Sequence, residues 1–397
     1  IVFLAAVMAV SACAGDTREA RVHYVNVTAL EGGDGFSWDT AFRHPQEALD
    51  AAHHGDQVWI AEGVYPPESL DGREVLRLAP GVEVLGGFAG NERGAWERDP
   101  SRFLTVLDGQ GASYHVVTGA DNAVLDGLTV TGGNADGGLI QGRYGGTFTG
   151  GGMFNAGVSP EIRNCVFTGN YARTGGGAVY NEDNSARISD CTFEYNEADF
   201  GGAIQNRGSA ARIVNSMFRG NESRISGGAV ANFEGAPRFV NSVFSGNVSS
   251  GVGGAALGNT SDADYTNCSF TGNRSDVSGG SIGVWQGHTR ITNWILWDNR
   301  TGDGTELYGA DGDVSVQYSI VQGGYAGTGN QDAHPCFKVD GQWGEGGLWI
   351  EGDYELLSSS PGVDRGTASG APDFDARYNL RPQSLAHDLG AYERTAF

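Results

Sequence analysis

A block of sequence recurs along the middle of this 397-residue chain at a nearly constant spacing of 25 or 26 residues. Copies start at Ile162, Ile188, Ile213, Phe239 and Tyr265, and the first reads IRNCVFTGNYARTGGGAVYN. Each copy holds short alternating apolar stretches separated by asparagine and glycine, which is typical of strands joined by turns. Leucine-rich repeats are excluded because leucine is rare in the copies. We therefore predict an all-β fold, a right-handed single-stranded parallel β-helix with one coil per copy.

The composition agrees with this prediction and limits the partners. Glycine makes up 65 of the 397 residues without a Gly-X-Y period, which excludes collagen, and the apolar fraction of 39% is too high for a disordered chain. The formal net charge is −23. Because nucleic-acid binding requires clustered cations, we expect no nucleic-acid partner. A polyanionic partner is disfavoured unless a cation bridges it.

Equivalent positions of stacked coils lie about 4.8 Å apart, so each position of the repeat forms a column. We expect two asparagine columns at corners, where asparagine tolerates left-handed backbone and its amide reaches the next coil, and an inward phenylalanine spine. All three columns are predicted to be structural. The first asparagine column comprises Asn164, Asp190, Asn215, Asn241, Asn267 and Asn293, the second Asn170, Asn196, Asn221, Asn247, Asn273 and Asn299, and the spine Phe167, Phe193, Phe218, Phe244 and Phe270.

Two of the five cysteines, Cys165 and Cys191, occupy the same column on neighbouring coils. Parallel stacking holds two such side chains at the interstrand distance, which is slightly long for a disulfide. We expect free buried thiols here, with a disulfide as the alternative.

The N-terminus has the form of an export signal. Residues 1–10 are nearly all apolar, too few to span a membrane, and are followed by SACAG, as in a signal peptide whose basic first part is missing. The VSAC segment also resembles a bacterial lipobox, in which the cysteine is lipidated. We therefore expect residues 1–13 to be a signal peptide with Cys13 as the lipidation site, and the protein to be exported as an outer-membrane or cell-surface lipoprotein. The alternative is secretion after ordinary cleavage behind Ala12 or Ala14.

The FxGN and GGA elements of the copies resemble the repeats of chlamydial-type polymorphic outer membrane proteins and of related pectin-lyase-like β-helix surface proteins. The flanks agree, with YVN from Tyr24, GFSWDTAF from Gly35, VWIAEGVY from Val58 and GGFAGNE from Gly86. The resemblance implies a short amphipathic helix, at about residues 45–52, that caps the open end of the core. It is specific for fold rather than function, because this fold hosts lyases, hydrolases, epimerases and adhesins alike.

Two motifs near the C-terminus, SPGVD from Ser360 and DLGAYE from Asp388, resemble the closing module called the choice-of-anchor Q domain. The usual Asp-Gly-x-x-Arg element between them is altered, since Asp375 is followed by Ala376 and Arg377. The predicted division is residues 1–13 for the signal, 14–21 for a linker, 22–357 for the β-helix with regular coils at about 162–299, and 358–397 for the closing segment.

An extra stretch between Val130 and Gly150 interrupts the repeat, and long loops on rigid scaffolds often carry function. It contains Asp136, Arg143 and Tyr144, residue types that serve as acid or base in a polysaccharide lyase. These three are our candidate catalytic residues. A merely decorative insertion is the alternative.

The positions just after each GGA strand form a further column, made of Glu182, Arg207, Phe233, Asn259 and Trp285, which we expect to face outward. Mixed aromatic and polar side chains suit sugar stacking and hydroxyl hydrogen bonding. Arg207, Phe233 and Trp285 are therefore candidate ligand-binding residues. Singly exposed aromatic residues are also normal on protein surfaces, and this is the alternative.

Asp303, Asp311 and Asp313 lie in glycine-flanked turns, where carboxylates are candidate Ca²⁺ ligands. The alternative is that each aspartate accepts hydrogen bonds from its own turn. We expect no other cofactor.

These features predict an exported, surface-anchored β-helix that binds an extracellular polysaccharide or another cell-surface partner, as an adhesin does, without catalysis. The first alternative is a polysaccharide lyase or glycoside hydrolase of the pectin-lyase-like superfamily, and the second is a structural envelope spacer. We expect a monomer that contacts the membrane only through its lipid anchor.

Overall fold

The computed structural model describes residues 18–68, 74–137 and 146–395. Within them the chain winds into a parallel β-helix of about ten coils, as the repeat predicts. Each strand of a regular coil pairs in parallel with its equivalents on the coils before and after it. Such a coil has four short strands on four faces: Val179–Glu182 on face 1, Arg187–Ser189 on face 2, Thr192–Glu194 on face 3 and Glu197–Phe200 on face 4.

Faces 1 and 2 form one 18-stranded sheet, because Ala256–Thr266 and Ile282–Thr292 run continuously through the corner between them. The other strands of face 1 are Leu76–Arg77, Val117–Thr118, Met153–Ala156, Ile204–Arg207, Val230–Phe233 and Leu307–Gly309. Those of face 2 are Val22–Val25, Gln57–Ala61, Glu83–Phe88, Val124–Asp126, Glu161–Arg163, Arg212–Val214, Arg238–Val240 and Asp313–Gln317.

Faces 3 and 4 are separate parallel sheets. The other strands of face 3 are Gly63–Tyr65, Thr105–Asp108, Leu128–Thr131, Val166–Thr168, Met217–Arg219, Val243–Ser245, Ser269–Thr271, Ile295–Trp297 and Ile320–Val321. Those of face 4 are Asn134–Ala135, Tyr171–Ala172, Glu222–Ser226, Val248–Ser249, Arg274–Ser275 and Arg300–Thr301.

Apolar side chains that alternate along the strands point into a continuous core, as do Val179 and Ile204 on face 1. The predicted phenylalanine spine is confirmed. Successive rings from Phe167 to Phe270 stack at centroid distances of 5.2, 4.9, 4.5 and 4.2 Å, and the indole of Trp294 continues the stack at 4.4 Å. Each such pair stabilises the coil stack by about 0.5–1.5 kcal/mol beyond its burial.

The two predicted asparagine columns differ in backbone. The first is confirmed as a left-handed corner, because φ lies between 49° and 60° at all six positions. The second is a buried ladder: Asn196 Nδ2 donates to Asn221 Oδ1 at 3.0 Å and to the Phe167 carbonyl at 2.9 Å. Left-handed backbone was a wrong prediction for this column, since the preceding residue, usually a glycine such as Gly169, adopts the positive φ instead.

A third asparagine column was not expected. It lies buried inside face 1, and each side chain donates to the next, from Asn155 to Asn181 at 3.0 Å, to Asn206 at 3.0 Å and to Asn232 at 2.8 Å. The sequence signal for it is the asparagine that closes the first three copies, as in GGAVYN. Three asparagine ladders thus run along the coil stack.

Cys165 and Cys191 are free and buried, as expected. Each Sγ donates to the carbonyl two residues earlier, at 3.2 Å to Arg163 and 3.2 Å to Ser189. Burial raises the pKa of the Cys191 thiol. Both cysteines lie in the main core, where a buried thiol packs as a small apolar side chain.

The predicted capping helix is confirmed as Pro45–Ala51. His44 caps its N-terminus, Glu47 completes a capping box, and the buried Ala48 and Leu49 close the end of the core. No helix within the described parts of the chain is long and apolar enough to cross a membrane. Three short 3-10 helices span Trp38–Thr40, Ala95–Glu97 and Glu345–Gly347.

The parallel coils end earlier than the predicted boundary at residue 357. The last strand pairing joins Ile320 and Val321 to the coil before. Beyond it the chain forms two antiparallel pairs, Phe337–Val339 with Asp353–Leu356 and Gln342–Trp343 with Trp349–Ile350. Their apolar residues pack on the outer side of face 3 and so cover one side of the β-helix. The prediction was wrong here because their apolar residues alternate in sequence as those of a further coil would.

The two C-terminal motifs contact each other. The Asp364 backbone N–H donates to Asp388 Oδ1 at 2.7 Å, and the Leu389 N–H donates to the Gly362 carbonyl at 3.0 Å. In the altered turn, the Asp375 carboxylate accepts the backbone N–H groups of Arg377 and Asn379, both at 2.8 Å. The closing segment is therefore held together by carboxylates that accept backbone hydrogen bonds.

Candidate ligand-binding surface

The insertion between residues 130 and 150 is described only at its two ends, so the candidates Arg143 and Tyr144 lie outside the described residues. Asp136 is exposed, and its carboxylate lies 3.8 Å from the Arg173 guanidinium. An ion pair this exposed keeps most of its hydration and contributes little to stability. The returning end is held by the buried His115, whose ring nitrogens lie 2.9 and 2.6 Å from two backbone carbonyls.

The predicted outward column is confirmed from Glu182 to Asn259, whose residues pair in register on successive face 1 strands. Trp285 was wrongly assigned to it, because Asn259 pairs with Gln286 instead. The register shifts where Thr260 adopts a left-handed φ of 52° and the two long strands pass the corner. A β-bulge of this kind re-aims the neighbouring side chains, which a constant repeat spacing does not reveal.

Aromatic rings nevertheless form a row along the outer surface of face 1 and its corner with face 4. Phe154 and Tyr180 stack at 5.7 Å, and Phe200 meets Phe233 edge-on at 5.3 Å. The row crosses six coil steps, roughly 29 Å. We name it the aromatic stripe, and its members are Phe154, Tyr180, Phe200, Phe233, Trp285 and Tyr308.

The rings of the aromatic stripe are held by packing on one side and remain accessible to solvent on the other. Its last four rings pack against a small outer cluster that is separate from the main core, and all rings except the buried Tyr180 stay half-exposed. Glu182, Arg207, Asn259 and Gln286 lie beside the rings and present acceptors and donors. Phe154, Tyr180, Phe200 and Tyr308 were missed as candidates, although an aromatic residue directly precedes both Asn155 and Asn181 in the sequence.

The three aspartates proposed as Ca²⁺ ligands do not converge. Asp303 accepts hydrogen bonds from the hydroxyls of Ser278, Thr301 and Thr305, and the bond from Ser278 is the main cause that lowers its pKa. Asp311 and Asp313 are exposed on a neighbouring turn. Within residues 18–68, 74–137 and 146–395, no three acidic, histidine or cysteine residues form a group suited to a metal ion.

A carboxylate, a histidine and an arginine do meet on face 2 near the last coil. His288 and Arg290 line a cavity of about 400 Å³, with Asp313 Oδ2 lying 3.6 Å from His288 Nδ1. Arg290 also pairs with Asp264 at 3.3 Å. His288, Arg290 and Asp313 are exposed and Asp264 is half-buried. These side chains are therefore solvated and suited to polar contacts with a ligand.

Two comparisons with known proteins agree with this geometry. The model of the Chlamydia polymorphic membrane protein repeat matches residues 164–182, which run from the asparagine corner of one coil to the end of its next face 1 strand. The crystal structure of pectate lyase Pel9A is similar over 95% of this chain and 97% of that chain, with 15% identity and a TM-score of 0.56. The chain therefore has the parallel β-helix fold of that pectate lyase, and residues 164–182 are similar to a polymorphic membrane protein repeat.

At that identity the pectate lyase shows the fold of this β-helix and nothing about its chemistry. A rhamnogalacturonan lyase structure is also similar, at 10% identity and a TM-score of 0.27, over 76% of this chain and 68% of that chain. A search of curated proteins finds no match to the β-helix. Its candidate site therefore has to be judged from its own residues.

Proposed function

We propose that this chain is a surface-exposed β-helix that binds an extended extracellular polysaccharide along the aromatic stripe. The match to a polymorphic membrane protein repeat supports surface exposure. The observation that carries the binding proposal is the row of rings along face 1 and its corner with face 4, most of them half-buried, with charged and amide side chains beside it.

The chemistry of a polysaccharide suits this surface. A sugar ring has an apolar face that stacks on an aromatic ring, and hydroxyls that bond to groups such as Arg207 and Gln286. The strands hold these groups in place before binding, so little conformational entropy is lost when the ligand docks. The net charge of −23 favours a neutral polysaccharide over an acidic one.

We also propose that the protein is exported, is tethered through Cys13 and acts as a monomer, and that binding needs no Ca²⁺. Asp303 already has its hydrogen bonds satisfied by three hydroxyl groups, which supports the last point. A chelator should therefore leave binding unchanged.

The binding proposal is tested with Phe233→Ala, which removes a ring from the middle of the stripe. We expect about tenfold weaker binding to a neutral polysaccharide such as xylan, glucan or mannan, because one stacking contact is lost. Affinity electrophoresis with each polymer in the gel measures the effect. The matched control is Phe36→Ala, which removes an exposed ring near the other end of the chain. Equal retardation of wild type and Phe233→Ala would contradict the proposal.

A polysaccharide lyase or hydrolase is the second candidate, and the meeting of His288, Arg290 and Asp313 in one cavity favours it. Incubation of the protein with the same polymers and with pectin distinguishes the two functions. A lyase releases unsaturated products that absorb in the ultraviolet, and a hydrolase releases reducing ends. Either product, lost in His288→Ala, would replace the binding proposal by an enzymatic one.

A further inference from the structure

The outer surface of face 3 is open over three coils. The strands Val166–Thr168, Thr192–Glu194 and Met217–Arg219 present half-buried outward side chains there. On the next coil the C-terminal segment covers this face, and Ser245 Oγ donates to Glu351 at 2.7 Å. We name the open area the face 3 platform, and its outward side chains are Val166, Thr168, Thr192, Glu194, Met217 and Arg219.

Two cavities flank the platform. One, of about 560 Å³, lies against the loop that carries Arg98 and Pro100. The other, of about 170 Å³, lies against the closing segment at Arg377 and Tyr392. Asp190 lines both, so the two cavities adjoin at the corner before face 3, and together we name them the depression. With walls at both ends, the open stretch of three coils, roughly 10–15 Å, has room for a short chain only.

The charges of this depression are balanced, although the whole chain is strongly acidic. Glu194 accepts from Arg219 Nε at 2.6 Å, and Asp190 accepts from the Tyr378 hydroxyl at 2.7 Å. Paired groups of this kind favour a neutral ligand that offers many hydroxyls. The cavities are lined by Arg98, Arg377, Asp99 and Asp190, and the platform beside them adds Arg219 and Glu194, so three arginines face three acids.

Tyr195 stands beside the platform in a backbone conformation that does not suit it. Its column carries glycine at Gly169, Gly220, Gly246 and Gly272 and aspartate at Asp298, all with positive φ, and Tyr195 has φ 54°. A bulky residue in this region is strained. The ring lies over Gly220, yet 66% of the residue is exposed, so burial does not offset the strain. Backbone strain that is not offset by burial of the side chain is typical of residues with a functional role.

Two more exposed aromatic residues stand at the ends of the depression. Tyr378, whose hydroxyl reaches Asp190, also has a positive φ, of 63°. Trp96 is 83% exposed and follows Ala95, which lines the larger cavity. An exposed ring can stack on the apolar face of a sugar, and the paired polar groups of the platform can bond to its hydroxyls.

We propose that the face 3 platform is a second ligand site that binds a short neutral oligosaccharide, with Tyr195 stacking on one sugar ring. The platform and the aromatic stripe lie on different faces of the β-helix. This site is therefore independent of the polymer site on face 1, and the two are tested by separate variants.

The decisive variant is Tyr195→Gly, which installs the residue that the neighbouring coils carry. It relieves the left-handed strain, so the Tm should stay equal or rise, while binding is lost. Cellopentaose, xylopentaose and mannopentaose are titrated into wild type and variant by calorimetry, with pentagalacturonate as the anionic comparison. We expect at least one neutral pentamer to bind wild type and to bind Tyr195→Gly about tenfold or more weakly.

The matched control is Tyr318→Asn, because Tyr318 is also a tyrosine with positive φ, but at the last coil, where earlier coils carry asparagine. It should bind the pentamer like wild type. Unchanged affinity of Tyr195→Gly, failure of all neutral pentamers to bind wild type, or a preference for pentagalacturonate would each overturn the inference. Loss of pentamer binding in Tyr195→Gly, with polymer binding intact and still sensitive to Phe233→Ala, would establish two sites.

Discussion

A single buried carboxylate ties together residues from distant parts of the chain. Asp126 lies at the end of a face 2 strand, where it accepts from Arg98 at 2.7 Å, Arg163 at 2.6 Å and Asn164 at 3.1 Å. Burial alone would raise the pKa of Asp126, but the hydrogen bonds from Arg98 and Arg163 outweigh it and hold the pKa below its usual range. A carboxyl whose pKa is lowered by folding stabilises the protein above its unfolded pKa, and this contribution is lost as the pH falls.

We therefore expect Asp126→Asn to lower the free energy of unfolding by about 2–3 kcal/mol near pH 7, less than for a fully buried pair because Arg163 is partly exposed. The difference from wild type should shrink as the pH falls through the lowered pKa, since the wild-type carboxylate is then protonated as well. Urea unfolding at a series of pH values measures both. Asp136→Asn, at an exposed pair, should change little at any pH, and equal stabilities of wild type and Asp126→Asn near pH 7 would contradict the argument.

At the scale of single residues, a contact could be predicted from the sequence when both of its residues belong to the repeat. It could not be predicted when one of the two residues comes from outside the repeat. The Phe167 spine was predictable because every coil carries its equivalent. The partnership of Asp126 with Arg98 was not, because Arg98 comes from a loop between coils. The strain at Tyr195 was visible as a departure from glycine, but the exposure of its ring depends on what the C-terminal segment leaves uncovered.

At the scale of the element, the buried asparagine ladder replaces hydrogen bonds that the backbone lacks at its turns. Asn196 donates to the Phe167 carbonyl and to Asn221, and its Oδ1 accepts the backbone N–H and the side-chain amide of Asn170. Removing one member leaves buried donors and an acceptor on two coils without partners, and such groups are costly.

Asn196→Ala should therefore lower the free energy of unfolding by about 2–4 kcal/mol. Asn215→Gly is the matched control, because Asn215 lies at the half-exposed left-handed corner, where glycine is tolerated, and should cost less than about 1 kcal/mol. Chemical unfolding of both variants checks the difference. Comparable losses would mean that the two columns contribute equally.

Strands could be predicted from the sequence where they follow the regular spacing of the repeat. The coil strands and the helix Pro45–Ala51 were predicted correctly. The position of Trp285 was predicted wrongly because a bulge shifts the register, and Phe337–Val339 was wrongly predicted to belong to a coil. An antiparallel pair that packs on the side of the helix has the same apolar alternation as a coil strand. The two kinds of strand differ only in the strand with which they pair, and the sequence alone does not identify that partner strand.

At the scale of the molecule, both ends of the coil stack are covered. The helix Pro45–Ala51 closes one end, and at the other Tyr325 and Asn330 donate to the carbonyls of Val314 and Val316 on the last face 2 strand. An open edge invites pairing with another chain, and these side-chain donors occupy acceptors that such pairing needs. This supports our proposal of a monomer.

The proposed tether belongs to the same scale, because it decides how the two binding surfaces are presented. Cys13 lies outside the described residues, but Arg18 is fixed to the buried Asp56 by two bonds of 2.7 Å. Four residues lie between them, and the five residue-to-residue steps reach roughly 17 Å at most. A lipid on Cys13 would therefore keep the first coil near the membrane, while the stack of coils carries the aromatic stripe and the face 3 platform away from it.

Cys13→Ala should release the protein from the membrane fraction into the soluble exported fraction, because no second anchor is proposed. Fractionation of cells that produce the full chain, followed by detection of the β-helix in each fraction, measures this. Cys336→Ala removes another unpaired cysteine, at a half-buried position far along the chain, and should leave the distribution unchanged. Membrane retention of Cys13→Ala would disprove the tether, and it would leave both glycan proposals standing, since neither Phe233 nor Tyr195 depends on the lipid.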